Sequence, residues 1–177
     1  MTTDEALMLE FQRGSREAFD ELFARYREPL YGFYRRRLAI PERAEDLTQE
    51  TFLVVIRASE RYEPRALVRT YLYGIALKLL VAERRRQARS TPGEQGREQA
   101  AEDTPDGTIW VRQALSRLDS AEREILMLRE YEQLSYAEIA SLLRLPTNTV
   151  RSRLFRSRMA LRGFLEPASK EARNAQQ

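Results

Sequence analysis

The stretch LSYAEIASLLRLPTNTVRSRLFRSRMALR, residues 134–162, decides the fold of the chain's second half. Ser135 with Glu138 three residues later has the chemistry of a capping box and predicts a helix start. SYAEIASLLR carries apolar residues at helical spacing, LPTN breaks the period, and TVRSRLFRSRMALRGFL resumes it. Two helices joined by a short turn, with Ala140 small enough to let the second approach, spell a helix-turn-helix. On the second helix Val150, Leu154 and Leu161 share one side, while Asn148, Arg151, Ser152, Phe155, Arg156 and Met159 share the other. Between Val150 and Leu165 the charged residues are all arginines, so this helix offers phosphates a positive field. An arginine can pair with guanine, a serine can bond a base edge or phosphate, and a phenylalanine can touch a thymine methyl. The face also suits RNA or an anionic membrane surface, but the helix before it favours DNA.

Working back toward the N-terminus, Asp119 with Glu122 predicts another helix start, and Ile125, Leu126, Leu128 and Leu134 supply a core. Before them lies ARSTPGEQGREQAAEDTPDG, residues 88–107, with five Pro and Gly residues and hardly an apolar side chain larger than alanine. Such a segment cannot bury enough surface to order itself and reads as a flexible linker. Formal charge divides the same way: +2 over residues 1–87, −3 over 88–107 and +4 over 108–177. Apolar spacing on both sides is helical and without sustained alternation, so the fold class is all-α, two small helical domains. The expected boundaries are 1–87, the acidic linker 88–107, the helix-turn-helix domain 108–166, and a disordered polar tail 167–177.

In the first domain Thr3 can cap a helix through about Gln12, and Gly14-Ser15 restarts the chain. A long helix follows with Phe19, Leu22, Phe23, Tyr26, Leu30, Phe33, Tyr34 and Leu38 as its core stripe, Pro29 within it and Pro41 beyond its end. A third helix should span about Glu42 to Ser59 and a fourth about Val68 to Arg86. On the third, Leu47, Thr51, Val54, Val55 and Ala58 face one way; Asp46, Gln49, Glu50, Leu53 and Arg57 face the other. A polar stripe with a leucine at its centre suits protein docking, and periodicity alone equally allows a solvated face.

Composition excludes much chemistry. The chain has no Cys and no His, hence no disulfide, thiolate nucleophile, imidazole base or typical zinc site. Asp46 and Glu50 make no acid/base dyad, because nothing beside them would raise one pKa. The seven glycines form no Walker or dinucleotide pattern. No catalytic residue, metal, cofactor or small-molecule substrate is expected, and the protein is read as no enzyme. The acidic start lacks a signal-peptide pattern and no run suits a bilayer span, so the expected location is the cytoplasm. Of the 30 basic residues only Lys78 and Lys170 are lysines, a bias that fits phosphate recognition or genomic base composition equally well.

Three stretches together carry a family resemblance: AEDLTQETFLVVIRA at 44–58, TYLYGIALKLLVAERRR at 70–86, and the helix-turn-helix at 134–162. In this order, separated by a short linker, they resemble the extracytoplasmic function (ECF) sigma factors of bacterial RNA polymerase. The resemblance implies that the first domain is sigma region 2 and that Asp46, Gln49, Glu50 and Leu53 dock on the β′ coiled coil of core polymerase. It further implies that the loop Glu63, Pro64, Arg65, Ala66, Leu67 and Val68, followed by Tyr71, Tyr73 and Lys78, reads and melts the promoter −10 element. A base would be flipped from the stack into a pocket there. Arg84, Arg85 and Arg86 would hold the adjacent backbone, or merely complement the helix dipole.

The second domain resembles sigma region 4, which reads the −35 element, with Arg151, Ser152, Phe155 and Arg156 at the matching positions and Asn148 on the same face. Implied partners are core polymerase through the β′ coiled coil and β flap, promoter DNA, and an anti-sigma factor. Family members often carry Trp at Tyr71, Asn at Lys78 and Gly at Arg144. Lys78 only donates where an amide donates and accepts, so the base preference does not transfer. Arg144 falls where glycine relieves a left-handed helix end, at an expected strain of about 1 kcal/mol. The alternative is an autonomous helix-turn-helix repressor or activator, which has no need of a docking stripe.

Overall fold

The computed structural model describes residues 2–63, 67–90 and 106–174, without the side chains of 90, 106–108 and 166–174. The chain divides into two compact units, residues 1–101 and 102–177. Among the described residues there are α-helices and one 3-10 turn and no strand.

The first unit contains α1 (Asp4–Gln12), α2 (Arg16–Arg35), α3 (Pro41–Ala58) and α4 (Val68–Ser90). Thr3 and Ser15 cap α1 and α2 through side-chain oxygens that accept from Ala6 N and Ala18 N. Pro41 lies beyond the end of α2, as expected, and itself opens α3, a position where proline loses no helical hydrogen bond. The aromatic stripe of α2 packs as core, with Leu22, Leu30, Phe33 and Tyr34 buried. Phe33 meets Tyr73 of α4 at 5.5 Å between ring centroids. A second cluster links Phe11, Phe19, Phe23 and Phe52 at 4.7–6.3 Å. Asp4 ties α1 to α2, accepting from Arg25 Nη1 at 2.6 Å and from the Tyr26 hydroxyl.

The second unit contains α5 (Asp106–Ser116), α6 (Ser120–Glu130), α7 (Tyr136–Leu143) and α8 (Thr147–Asn174). Ile125, Leu128, Leu134, Ile139, Val150 and Leu154 form its sealed core. The capping box at the start of α7 is complete and satisfies two backbone donors reciprocally. Glu138 N donates to Ser135 Oγ at 3.2 Å, and Ser135 N donates to a Glu138 carboxylate oxygen at 2.8 Å.

Three boundaries differ from the expectation. Helix α4 runs through Ser90 and α5 begins at Asp106, so both ends of the 88–107 linker are helical, while 91–105 lie outside the described residues. Helix α5 itself carries no cap signal that sequence reading recognised. The expected disordered tail is helical as far as Asn174, with Pro167 inside the helix.

The turn between α7 and α8 carries backbone strain. Arg144 adopts φ 54 and ψ 46, in the left-handed region. The turn closes as a Schellman motif. Leu145 N donates to Ala140 O at 2.9 Å and Arg144 N to Ser141 O at 3.4 Å. A β-carbon in the left-handed region costs about 1 kcal/mol, which glycine avoids. Arg144→Gly should therefore stabilise the second unit by about 1 kcal/mol in urea unfolding followed by Trp110 fluorescence. Equal or lower stability would show that the arginine side chain outweighs the strain.

Candidate protein and DNA interfaces

Three surfaces are built by helix register. On α3, Ala44, Leu47, Thr48, Thr51, Phe52 and Val55 are buried. A helix turns about 100° per residue, so this forces Asp46, Gln49, Glu50 and Arg57 outward. All four are exposed. Leu53 is 48% exposed in their midst. Gln49 also lines a groove of about 460 Å³ between α2 and α3, together with Phe23, Arg27, Tyr31 and Thr48. Of the expected core stripe, Val54 and Ala58 are only partly covered.

The loop before α4 is anchored at both ends by α1. The Gln12 side-chain amide donates to Ser59 O (2.6 Å) and Tyr62 O (2.8 Å) at its entry, and Glu5 accepts from Val68 N (3.2 Å) at its exit. Sequence reading missed both residues, since partners 47 to 63 positions apart leave no local signal. Glu63 and Leu67 are exposed, whereas Pro64, Arg65 and Ala66 lie outside the described residues. Tyr71 is half-buried, its ring supported by Tyr62 in a T-shaped contact at 5.2 Å. Burial pushes the Tyr71 hydroxyl pKa up. Lys78, Arg84, Arg85 and Arg86 are exposed.

Two expected contact residues are core instead. Tyr73 is 3% exposed with its ring against Phe33, so it offers no face to a base. Val68 is sealed at the start of α4, where its side chain fills the hydrophobic interior.

On α8, Val150, Leu154 and Ser157 turn inward, and Ser157 Oγ donates to Arg153 O (2.8 Å). Leu161, expected in the core, is only partly covered. Asn148, Arg151, Ser152, Arg156 and Met159 turn outward with Phe155, which is 64% exposed. Arg156 Nε donates to Glu122 of α6 at 3.3 Å, which steadies the guanidinium and leaves its two Nη groups to reach other acceptors. Arg158, exposed one heptad beyond Arg151, is tied instead to Glu130, its Nη2 and Nε donating at 2.7 and 3.2 Å. Among the described residues no cluster of acidic side chains could hold a metal ion, and no helix is long and apolar enough to cross a membrane.

The Sigma-70 region 2 family model matches residues 22–90, and the Sigma-70 region 4 model matches 108–161. The RNA polymerase sigma-H factor of Pseudomonas aeruginosa is 33% identical, the alignment covering 96% of this chain and 97% of that protein. The ECF RNA polymerase sigma-E factor of Haemophilus influenzae is 30% identical over 93% and 96%. The ECF RNA polymerase sigma factor SigC of Mycobacterium tuberculosis is 33% identical over 92% and 91%. A chain from the solved structure of CnrH in complex with the cytosolic domain of CnrY has the same fold, with a TM-score of 0.71 at 24% identity over 93% of this chain and 97% of that one. Region 2 and region 4 thus follow one another here in the order, and over the length, of curated relatives of that kind, and the chain belongs to the ECF sigma factors of the sigma-70 family.

Proposed function

We propose that this sigma factor binds core RNA polymerase through the outward stripe of α3, reads the −35 element with α8, and reads and opens the −10 element with the loop and first turns of α4. The observation that carries the reading is Leu53, half-exposed at the centre of Asp46, Gln49 and Glu50 on a helix whose opposite face is sealed. Leaving a leucine in water forfeits much of the roughly 1.5–3 kcal/mol its burial supplies, which a docked protein surface recovers. An autonomous repressor has no use for such a stripe.

In the −35 reading, Arg151, Ser152, Phe155 and Arg156 contact the major groove and phosphates with Asn148 beside them, supported by their shared exposure and by the absence of acids on α8 before Glu166. For the −10 element, Tyr71 stacks on an extruded base, Lys78 supplies a donor, and Arg84, Arg85 and Arg86 hold the backbone. Glu63 and Leu67, with Pro64, Arg65 and Ala66 between them in sequence, belong to the same reading, and Tyr73 and Val68 act as buried footing. The protein works in the cytoplasm, where polymerase and promoters are, and has no catalysis of its own. A β-flap contact from region 4 and an anti-sigma factor that covers these faces complete its partners.

Three outcomes check the reading. Reversing both charges in Asp46→Arg/Glu50→Arg should abolish binding to core polymerase in fluorescence anisotropy while helicity by circular dichroism stays constant; wild-type affinity would remove the stripe from the interface.

Arg156→Ala should cost about 1–3 kcal/mol in promoter binding by holoenzyme and relax preference at one −35 position, whereas a phosphate-only contact would weaken all sequences alike. If −35 preference survives replacement of Arg151, Ser152, Phe155 and Arg156 together, α8 is not the reading helix.

Tyr71→Ala/Lys78→Ala should spare core binding but reduce permanganate reactivity of unpaired thymines near the start site, and a template with a pre-melted bubble should restore transcription. Wild-type opening of duplex promoters by the double variant would place the base pocket elsewhere.

A further inference from the structure

Glu83 is a carboxylate sealed inside the first unit, its side chain 3% exposed. Such burial costs several kcal/mol unless every lone pair finds a donor. Here both oxygens have donors: Oε1 accepts from Arg43 Nε (3.2 Å), Arg86 Nη2 (3.1 Å) and Gln87 Nε2 (2.9 Å), and Oε2 from Arg43 Nη2 (2.7 Å), so that Arg43 binds side-on. The Arg43 hydrogen bonds hold the Glu83 carboxyl below the ordinary carboxylate range against the opposing effect of burial. Yet a buried ion pair contributes little net stability over an apolar pair of the same volume, so packing alone gives no reason for it.

The reason lies at the third nitrogen. Arg43 Nη1 donates to Asp46 Oδ2 at 2.9 Å. A guanidinium is planar and rigid, so once Nε and Nη2 are fixed on Glu83, the place of Nη1 follows, and with it the orientation of the half-exposed Asp46 carboxylate. The bond uses Oδ2 and leaves Oδ1 to an incoming donor. Glu83 and Arg43 are 40 positions apart, on α4 and α3, so the ordering of one docking residue is set from the neighbouring helix.

We propose that Arg43 and Glu83 are positioning residues for core polymerase: they fix Asp46 before docking, so that its side-chain entropy is spent on folding rather than on binding. The proposal rests on the docking role given to the α3 stripe.

The test is a double-mutant cycle on the affinity of the full chain for core polymerase, with Glu83→Gln, Arg43→Lys and Asp46→Ala, which leaves Arg43 Nη1 no acceptor at position 46. Arg43→Lys keeps the charge but cannot bridge two carboxylates with a fixed fork. Each of Glu83→Gln and Arg43→Lys should weaken binding by about tenfold with Asp46 present and by less than about twofold when Asp46→Ala is already in place. A merely structural role predicts equal losses in both backgrounds, and that result overturns the proposal. If Asp46→Ala alone binds as wild type, the positioning role is overturned, while the stripe as a whole stands or falls separately with Asp46→Arg/Glu50→Arg. If Glu83→Gln does not fold by circular dichroism, the Arg43→Lys arm decides in the same way.

Discussion

The rotational setting of α3 is the constraint on which the first unit's function depends. The Tyr34 hydroxyl of α2 sits 2.8 Å from Thr51 Oγ of α3 and 3.3 Å from Ala76 O of α4, with both side chains sealed from water. Thr51 Oγ already donates to Leu47 O at 2.8 Å. Each hydroxyl has one proton to give and both carbonyl oxygens only accept, so two protons serve three contacts, and Tyr34 is a donor within this network. Burial raises the Tyr34 pKa, so that donor stays protonated at any pH the cell meets. A hydrogen bond inside an apolar core admits one partner geometry, and losing it leaves an unmet polar group at about 1–3 kcal/mol. Rotating α3 by even one residue would remove Thr51 from Tyr34 and turn charged residues inward. The outward stripe is therefore specified from the inside, by a polar contact that lies apart from the exposed face.

The second unit reaches the same result by other means. Its α8 has no comparable buried tyrosine; its setting comes from Val150, Leu154 and Ser157 on the inside and from the turn that delivers it. A capping box starts α7, a left-handed Arg144 ends it, and the short break to Thr147 leaves little freedom in where α8 begins. Phe155 is then carried outward by geometry, and the surface it exposes is apolar area that a methyl-bearing groove can cover. Strain at Arg144 is the cost of meeting that geometry without a glycine.

The helices and their faces were legible because α2, α3 and α8 each bury one side only, which is the condition under which a 3.6-residue period appears in sequence. Helix α4 fails that condition. Leu72, Tyr73, Ile75, Ala76 and Leu80 are buried on it, and Val81 is an exposed apolar residue beside them. With apolar residues around much of its circumference, sequence could not tell that Tyr73 faces Phe33 while Tyr71 stays half-open. Helix α5 does meet it: Ala114 is buried and Val111 and Leu115 are partly covered at three- and four-residue spacing, a stripe passed over beside the exposed Ile109 and Trp110 and the acidic segment before them. Gln12, Glu5 and the Arg43–Glu83 pair belong to a third kind, polar contacts between residues 40 to 63 positions apart, which are fixed by tertiary packing and carry no local pattern.

Those polar contacts also bear on the arginine bias, which composition alone left divided between phosphate recognition and genomic drift. Arg25 reaches Glu21, Asp4 and Thr2 O; Arg43 reaches Glu83 and Asp46; Arg158 closes a two-nitrogen fork on Glu130. Arg37 is buried with its guanidinium 3.9 Å from the Phe33 ring centroid and donates to Phe33 O. Each of these ties uses planarity, several nitrogens, or a flat face over a ring, none of which an ammonium offers in fixed geometry. Arginine is thus a structural connector here as well as a candidate DNA ligand. Lys78 stands apart from this scheme: it is exposed on α4, two turns past Tyr71 and short of the arginine run, and carries a mobile point charge that only donates. Where an amide could discriminate between bases by giving and taking hydrogen bonds, an ammonium rewards any acceptor near it, a phosphate included. Under the proposed −10 reading, recognition at that position consequently shifts from base identity toward backbone charge, and the burden of discrimination falls on the stacking ring of Tyr71 and on the loop that α1 anchors.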